Sequence, residues 1–133
     1  MRGLDTNILM RFCTNDDPAQ VSLVKALFEV AEDRNEDFFI SSIVLCELVW
    51  TLRRKPHRLS RVEVATLLEK ILDTGIFEIQ DRNLVRHALS EYRQGRADFA
   101  DYLLGAQGRR AGCDATLTFD RQLSKSPGFS LLA

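Results

Sequence analysis

Carboxylate side chains stand at places in this sequence where strands are predicted to end or helices to begin. Asp5 follows the first predicted strand, and Asp120 follows the fourth. Glu47 lies in the second turn of the helix that follows the second strand. Asp98 and Asp101 open the helix that leads into the fourth strand, and their spacing puts both on one helix face. Parallel sheets bind ligands at the carboxyl ends of their strands, so we expect these acids to meet in one cleft.

A cluster of bare acids favours the binding of a divalent cation. Crowded carboxylates repel one another and raise each other's pKa values, and a bound cation removes that conflict. Oxygen ligands without His or Cys suit Mg²⁺ or Mn²⁺ better than Zn²⁺. Such a site activates water and stabilises the negative charge that develops on a phosphodiester. The acids therefore predict metal-dependent chemistry on a phosphodiester.

Each acid also has a purely structural interpretation. The acids at helix starts can cap helices, and those that follow strands can form Asx turns. Glu47 is the hardest to explain in this way, because it is the sole charged residue between positions 38 and 51. We therefore expect Glu47 to lie in apolar surroundings, where a charge needs a partner or a metal.

The elements that must position these acids alternate between strand and helix along the whole chain. Strands are predicted at 1–4, 38–40, 76–79 and 115–119, with a short fifth at 129–132. Helices are predicted at 7–13, from Asp17-Pro18 onward, at 43–54, from a capping box at 60–63 to Gly75, at 81–94 and at 98–112. At the second helix start, Gln20 is expected to reach back to the cap. This alternation predicts an α/β fold with a mainly parallel sheet covered by helices on both faces.

Composition places the chain among ordinary globular proteins. It has 133 residues, which predicts one domain spanning 1–133, and a net charge of −1. The hydrophobic fraction of 45% and the charged fraction of 28% exclude disordered, collagen-like and coiled-coil chains. Three widely spaced cysteines exclude a disulfide framework and fit a reducing compartment. With no signal peptide or membrane span visible, we expect a cytoplasmic location.

The acids fall within motifs of a known family. The segments that carry the resemblance are LDTNIL at 4–9, Glu47, ADFADYLL at 97–104 and TLTFDR at 116–121. In this order and at these intervals they resemble the motifs of PIN-domain ribonucleases over the whole chain. The segment NDDP at 15–18 strengthens the resemblance toward the VapC toxins of bacterial type II toxin–antitoxin systems.

The resemblance implies a fold, an activity and partners. The fold is a PIN-like three-layer sandwich with a central, mainly parallel, five-stranded sheet. The activity is that of a Mg²⁺- or Mn²⁺-dependent endoribonuclease, and the partners are an RNA substrate, a VapB-type antitoxin and a second copy in a homodimer. Asp98 is either an accessory ligand or a helix cap. The implied roles are catalytic for Asp5, Glu47, Asp101 and Asp120, metal-binding for Asp5, Asp98, Asp101 and Asp120, and supporting for Thr6, Asn7 and Thr118.

A basic stretch separates two of the predicted helices. It contains Arg53, Arg54, Lys55, Arg58 and Arg61. Basic clusters of this kind neutralise RNA phosphates even when the net charge is near zero, but a solvated loop has the same composition. Trp50, just before this stretch, is expected to lie mostly in the core.

Other functional classes fit the sequence less well. A phosphatase of the haloacid-dehalogenase type needs a second acid two residues after Asp5, where Asn7 stands. A receiver domain needs a Lys after the fourth strand, where the chain has Asp120. The remaining alternative is a catalytically silent PIN-fold module that binds RNA or protein. Loss of a core acid would indicate such a module, and all the core acids are present.

Overall fold

A computed structural model describes all 133 residues as two compact units, 1–82 and 83–133. The first unit contains β1 (Arg2–Gly3), α1 (Thr6–Cys13), α2 (Pro18–Arg34), β2 (Phe38–Ile40), α3 (Ser42–Arg53), α4 (Arg61–Leu72) and β3 (Phe77–Ile79). Helix α5 (Arg82–Gln94) begins at the last residue of this unit and continues in the second. The second unit continues with α6 (Phe99–Arg110), β4 (Thr116–Thr118), a 3₁₀ turn (Leu123–Lys125) and β5 (Phe129–Leu131).

The first unit is built on a parallel three-stranded sheet in the order β1-β2-β3. Phe38 and Ile40 of β2 are buried and Phe39 is exposed, which is the alternation of a strand with one face on a core. The Phe28 ring on α2 contacts the rings of both Phe38 and Phe77, at centroid distances of 5.5 and 5.3 Å. These aromatic contacts fasten α2 to the sheet at the first residues of β2 and β3.

Local capping chemistry fixes the helix starts of the first unit. The Asp17 carboxylate accepts the N–H of Gln20 at 3.1 Å and caps α2, as predicted. Ser60 and Glu63 form the predicted capping box of α4. The Gln20 side chain does not complete such a box, because its Oε1 accepts from Arg11 Nε at 2.6 Å instead. Each cap replaces a missing intrahelical partner, so helix starts could be predicted well from the sequence.

The second unit packs α6 closely against a parallel pair of strands, β4 and β5. A Cβ atom at Gly105 of α6 would lie 2.8 Å from the ring of Phe129 on β5, so only glycine permits this approach. Phe99 and Tyr92 are buried and meet edge to face at 6.2 Å, which joins α5 to α6. The core of this unit therefore fixes the N-terminal end of α6.

The predicted α/β class is confirmed, with five strands and six helices at the predicted places. All strand pairs are parallel, and their hydrogen bonds form two sheets, one of three strands and one of two, where a single five-stranded sheet was expected.

Helix α3 begins at Ser42 because Ser41 caps it, and α4 ends at Leu72, before Gly75. No helix is long and apolar enough to cross a membrane.

Candidate active site

Asp5 is the N-cap of α1 and directly follows the first strand's segment. Its Oδ1 accepts the N–H of Ile8 at 3.1 Å, and its side chain is exposed. Thr6 and Asn7 form the first turn of the same helix. The cap uses Oδ1 only, so it is compatible with the predicted metal-binding role of Asp5, which remains a prediction.

Glu47 lies on the exposed side of α3, which corrects the expectation that it sits in apolar surroundings. The buried face of the helix is formed by Leu45, Leu48, Val49 and Leu52. Glu47 falls on the opposite side, so water solvates its charge and burial does not force a partner on it. Its position in the second turn of α3 agrees with the prediction, and its catalytic role remains a prediction.

Asp98 and Asp101 lie together at the N-terminus of α6, as predicted. Asp98 is the N-cap residue, and its N–H donates to Oδ2 of Asp101 at 3.2 Å. Asp98 is exposed and Asp101 is half-buried. Burial raises the pKa of Asp101 above its usual value, and the hydrogen bond from Asp98 opposes that rise. The carboxylates of Asp98 and Asp120 raise this pKa further, so the charge of each acts on Asp101.

Asp120 forms an Asx turn directly after β4. Its Oδ1 accepts the N–H groups of Gln122 at 2.9 Å and Leu123 at 3.1 Å. The N–H of Asp120 donates to Oγ1 of Thr118 at 3.0 Å. Thr118 therefore holds the backbone of Asp120 in position, and its supporting role at the site remains a prediction.

The donor set of the second unit fits a hard divalent cation. Asp98, Asp101 and Asp120 offer carboxylate oxygens only, and a cation would offset both the burial and the neighbouring charges that raise the pKa of Asp101. Neither unit by itself brings three or more His, Cys, Asp or Glu side chains into a group that could hold a metal ion. Mg²⁺ does not need such a cage, because it keeps several waters and binds through one or two carboxylates plus phosphate.

Most of the predicted basic residues line one depression in the first unit. Between α3 and α4 an open depression of about 730 Å³ is lined by Arg53, Arg54, Lys55 and Arg58, together with Leu59, Ser60 and Glu63. Arg61, the first residue of α4, does not line it. The structure thus brings together four of the five basic residues that the sequence singled out.

Trp50 is a second residue of α3 that sequence reasoning placed wrongly. It was expected in the core, but 45% of its surface is exposed. The spacing of the buried residues Leu45, Leu48 and Leu52 contains the signal for this, because a residue two positions after Leu48 points away from their face. An exposed indole next to a basic depression is a functional candidate that the sequence reasoning missed.

Histidines take no part in the predicted acid cluster. His57 Nε2 lies 3.5 Å from Oδ2 of Asp16, in the first unit. His87 is on the surface, as predicted, with its Nε2 3.4 Å from Glu91 Oε1 on the next turn of α5. Each histidine therefore lies beside a carboxylate of its own unit.

The chain is similar to known proteins over almost its whole length. Residues 4–128 match the sequence model of the PIN domain, a span that includes all the predicted acids. The chain is also 25% identical over 125 residues to a protein named VapC ribonuclease from Aquifex aeolicus (strain VF5). That alignment covers 94% of this chain and 91% of the relative.

Proposed function

Since this chain belongs to the PIN-domain family, we propose that it is a Mg²⁺- or Mn²⁺-dependent endoribonuclease and the toxin of a toxin–antitoxin pair. The observation that carries the proposal is the acid cluster of the second unit, where the half-buried Asp101 accepts the N–H of Asp98 and has a pKa raised first by burial and then by the carboxylates of Asp98 and Asp120. A relative that is named a ribonuclease aligns with this chain over 91% of its own length, and this supports the same activity. The family match runs through residues of both units, which supports a single PIN domain over 1–133.

In this proposal each acid has a defined task. Asp5, Asp101 and Asp120 hold the cation, and Glu47 completes the catalytic set. Asp98 adds a ligand or serves only as the cap of α6. When bound, the cation supplies an activated water and stabilises negative charge on the phosphodiester.

The protein's own contribution is orientation. The Asx turn of Asp120 and the cap formed by Asp5 hold each carboxylate through one oxygen, Oδ1. Thr118 fixes the backbone of Asp120, and Thr6 and Asn7 stand beside Asp5 in the first turn of α1. Side chains that are held in this way reach the productive geometry with little loss of entropy.

The nature of the product ends tests the reaction. Direct attack of water on phosphorus leaves 5′-phosphate and 3′-hydroxyl ends, whereas attack by the 2′-hydroxyl leaves a cyclic phosphate and usually requires a pair of histidines. We expect cleavage of unstructured RNA with Mg²⁺ or Mn²⁺, no cleavage in EDTA, and loss of cleavage in Asp101→Asn. His87→Gln, a matched change on the surface, keeps full activity. Products ending in 2′,3′-cyclic phosphate, or activity in EDTA, would rule the mechanism out.

The same assay separates this function from that of a silent PIN-fold module. A silent module would bind RNA, or a protein, and leave every RNA intact at all metal concentrations. As partners we propose a VapB-type antitoxin and a second copy of this chain, in the cytoplasm. A small gene immediately upstream, whose product blocks cleavage and co-purifies with this protein, would identify the antitoxin.

A further inference from the structure

One exposed face of α3 connects a predicted catalytic acid with the basic depression. Glu47, Trp50 and Arg54 follow one another at spacings of three and four residues, so they lie along the same side of the helix. We call these three residues the α3 stripe. All of them are exposed, and the opposite side of the helix is buried. Glu47 and Arg54 are about 10 Å apart along the helix axis, at the usual rise of an α-helix.

Trp50 lies in the middle of the α3 stripe and presents an aromatic surface to solvent. Its exposed fraction of 45% is large for a residue type that is usually well buried. Arg54 Nε donates to the backbone carbonyl oxygen of Trp50 at 3.2 Å, which holds this cation against the backbone of the same helix face, one turn after Trp50. Exposed aromatic rings beside cations are the elements that single-stranded nucleic acids use for base stacking and phosphate contact.

The depression at the end of the α3 stripe holds unneutralised positive charge. No ion pair to a carboxylate engages Arg53, Arg54, Lys55 or Arg58, although other arginines of the chain are paired in this way. The only acid that lines the depression is Glu63, and its Oε1 accepts the N–H of Ser60. Four cations beside one acid, in a chain of net charge −1, form a local site for a polyanion.

The backbone around the depression is held before any ligand arrives. Arg53 Nη1 donates to the carbonyl of Leu59 at 3.1 Å, and the N–H of Arg58 donates to the carbonyl of Arg54 at 2.8 Å. The contact between His57 and Asp16 joins the same loop to the turn between α1 and α2. A fixed loop loses less conformational entropy on binding than a mobile one.

We propose that single-stranded RNA runs along the α3 stripe, with a base stacked on Trp50 and its phosphates in the basic depression. The proposal rests on the proposed function only in taking RNA as the substrate, and it assigns a binding track that runs along α3, within the first unit. Charge favours RNA over a protein partner without acidic character, because a cation-lined surface attracts phosphates most strongly. Trp50 and Arg54 are binding residues in this track, and neither takes part in bond cleavage.

The test uses Trp50, the only tryptophan of the chain, as its own reporter. The wild-type protein is titrated in EDTA with an unstructured RNA of about 12 nucleotides, within the site sizes of single-strand binders. We expect saturable quenching of the Trp50 emission. Arg58→Gln weakens binding and lowers the slope of log affinity against log salt by about 0.7 for the lost contact. The matched control is Arg34→Gln, which removes the same charge from the exposed end of α2 and leaves affinity and slope unchanged.

A second measurement isolates the stacking contribution. With a dye-labelled RNA, Trp50→Leu weakens binding about tenfold, and Trp50→Phe recovers part of that loss because a ring is restored. Inorganic polyphosphate, which has no bases, competes for the depression without quenching Trp50 by stacking.

Three results would contradict the proposal that RNA binds along the α3 stripe. They are RNA binding without quenching, an equal effect of Arg34→Gln and Arg58→Gln, or an emission that shifts with protein concentration alone. The third result would show that another copy of the chain covers the stripe. Because the titration is done without metal, failure of cleavage leaves its outcome unaffected, so the track and the proposed function can fail separately.

Discussion

Replacing Asp120 by Asn and by Ala separates its charge from its structural role. Its Oδ1 accepts two backbone N–H groups, and one of them belongs to Leu123, a buried residue. Ala removes both hydrogen bonds and leaves a partly buried donor without its acceptor, so we expect a loss of about 1–2 kcal/mol in the free energy of unfolding. Asn keeps an oxygen at the same place, so its loss should stay below about 0.5 kcal/mol.

The assays are thermal unfolding and RNA cleavage on the same samples. For a chain of 133 residues, a loss of 1–2 kcal/mol corresponds to a decrease in Tm of about 4–7 °C. We expect this decrease in Asp120→Ala only, and loss of cleavage in both variants, since both lack the charge. Ser124→Ala is the control within the same turn, because it removes the hydrogen bond to the Arg121 carbonyl without touching the acid. Wild-type cleavage by Asp120→Asn would show that the carboxylate serves the turn alone.

Three further predictions follow from the acids and the cysteines. Asp101→Ala should reduce cleavage more than Asp98→Ala, and the reverse order in a kinetic assay would show that Asp98 is the essential acid. Saturating Mn²⁺ should raise the free energy of unfolding, by about 2.7 kcal/mol at a hundredfold excess over Kd. Asp5→Asn should raise Tm without metal and reduce the metal-dependent shift, whereas an identical shift in both proteins would exclude Asp5 as a ligand. Burial raises the pKa of the Cys13 thiol to about 12, against an opposing effect of Lys70, so iodoacetamide at about pH 8 should label exposed Cys113 and spare Cys13. Because this folded-state pKa is raised, its contribution to stability is complete below pH 9.0 and is lost as the pH rises toward 12.

The parts of the fold that could be predicted are those that depend on neighbouring residues. The Asp17 cap and the Ser60–Glu63 capping box each join residues three positions apart, so the sequence contains both partners. Gln20 shows where such reasoning ends, because its partner Arg11 belongs to another helix and no local rule selects it. Strand pairing is non-local in the same sense, and the division of the five strands between two sheets could not be predicted from their individual patterns.

The side of a helix that faces the core was the main source of error at the candidate site. An unbroken apolar segment around Glu47 suggested burial on all sides of α3. The helix buries only the face that contains Leu45 and Leu48, and Glu47 and Trp50 share the other. The buried residues of α3 therefore recur with the helical period of 3.6 residues. Because Trp50 is apolar and yet exposed, the apolar residues of the sequence alone do not show this period. A large apolar residue that the fold leaves exposed is itself informative, because its exposure costs free energy that a ligand can recover.

The structural and catalytic interpretations of the acids do not exclude each other. Asp5 caps α1, Asp101 accepts the N–H of Asp98 at the start of α6, and Asp120 closes an Asx turn. In each case a backbone N–H occupies one carboxylate oxygen and fixes the rotamer of the side chain. A carboxylate that is fixed in this way presents its second oxygen in a defined direction, which is the condition for a preorganised metal site. In the proposed site the local caps would therefore favour catalysis, because the backbone would orient the carboxylates before a cation binds.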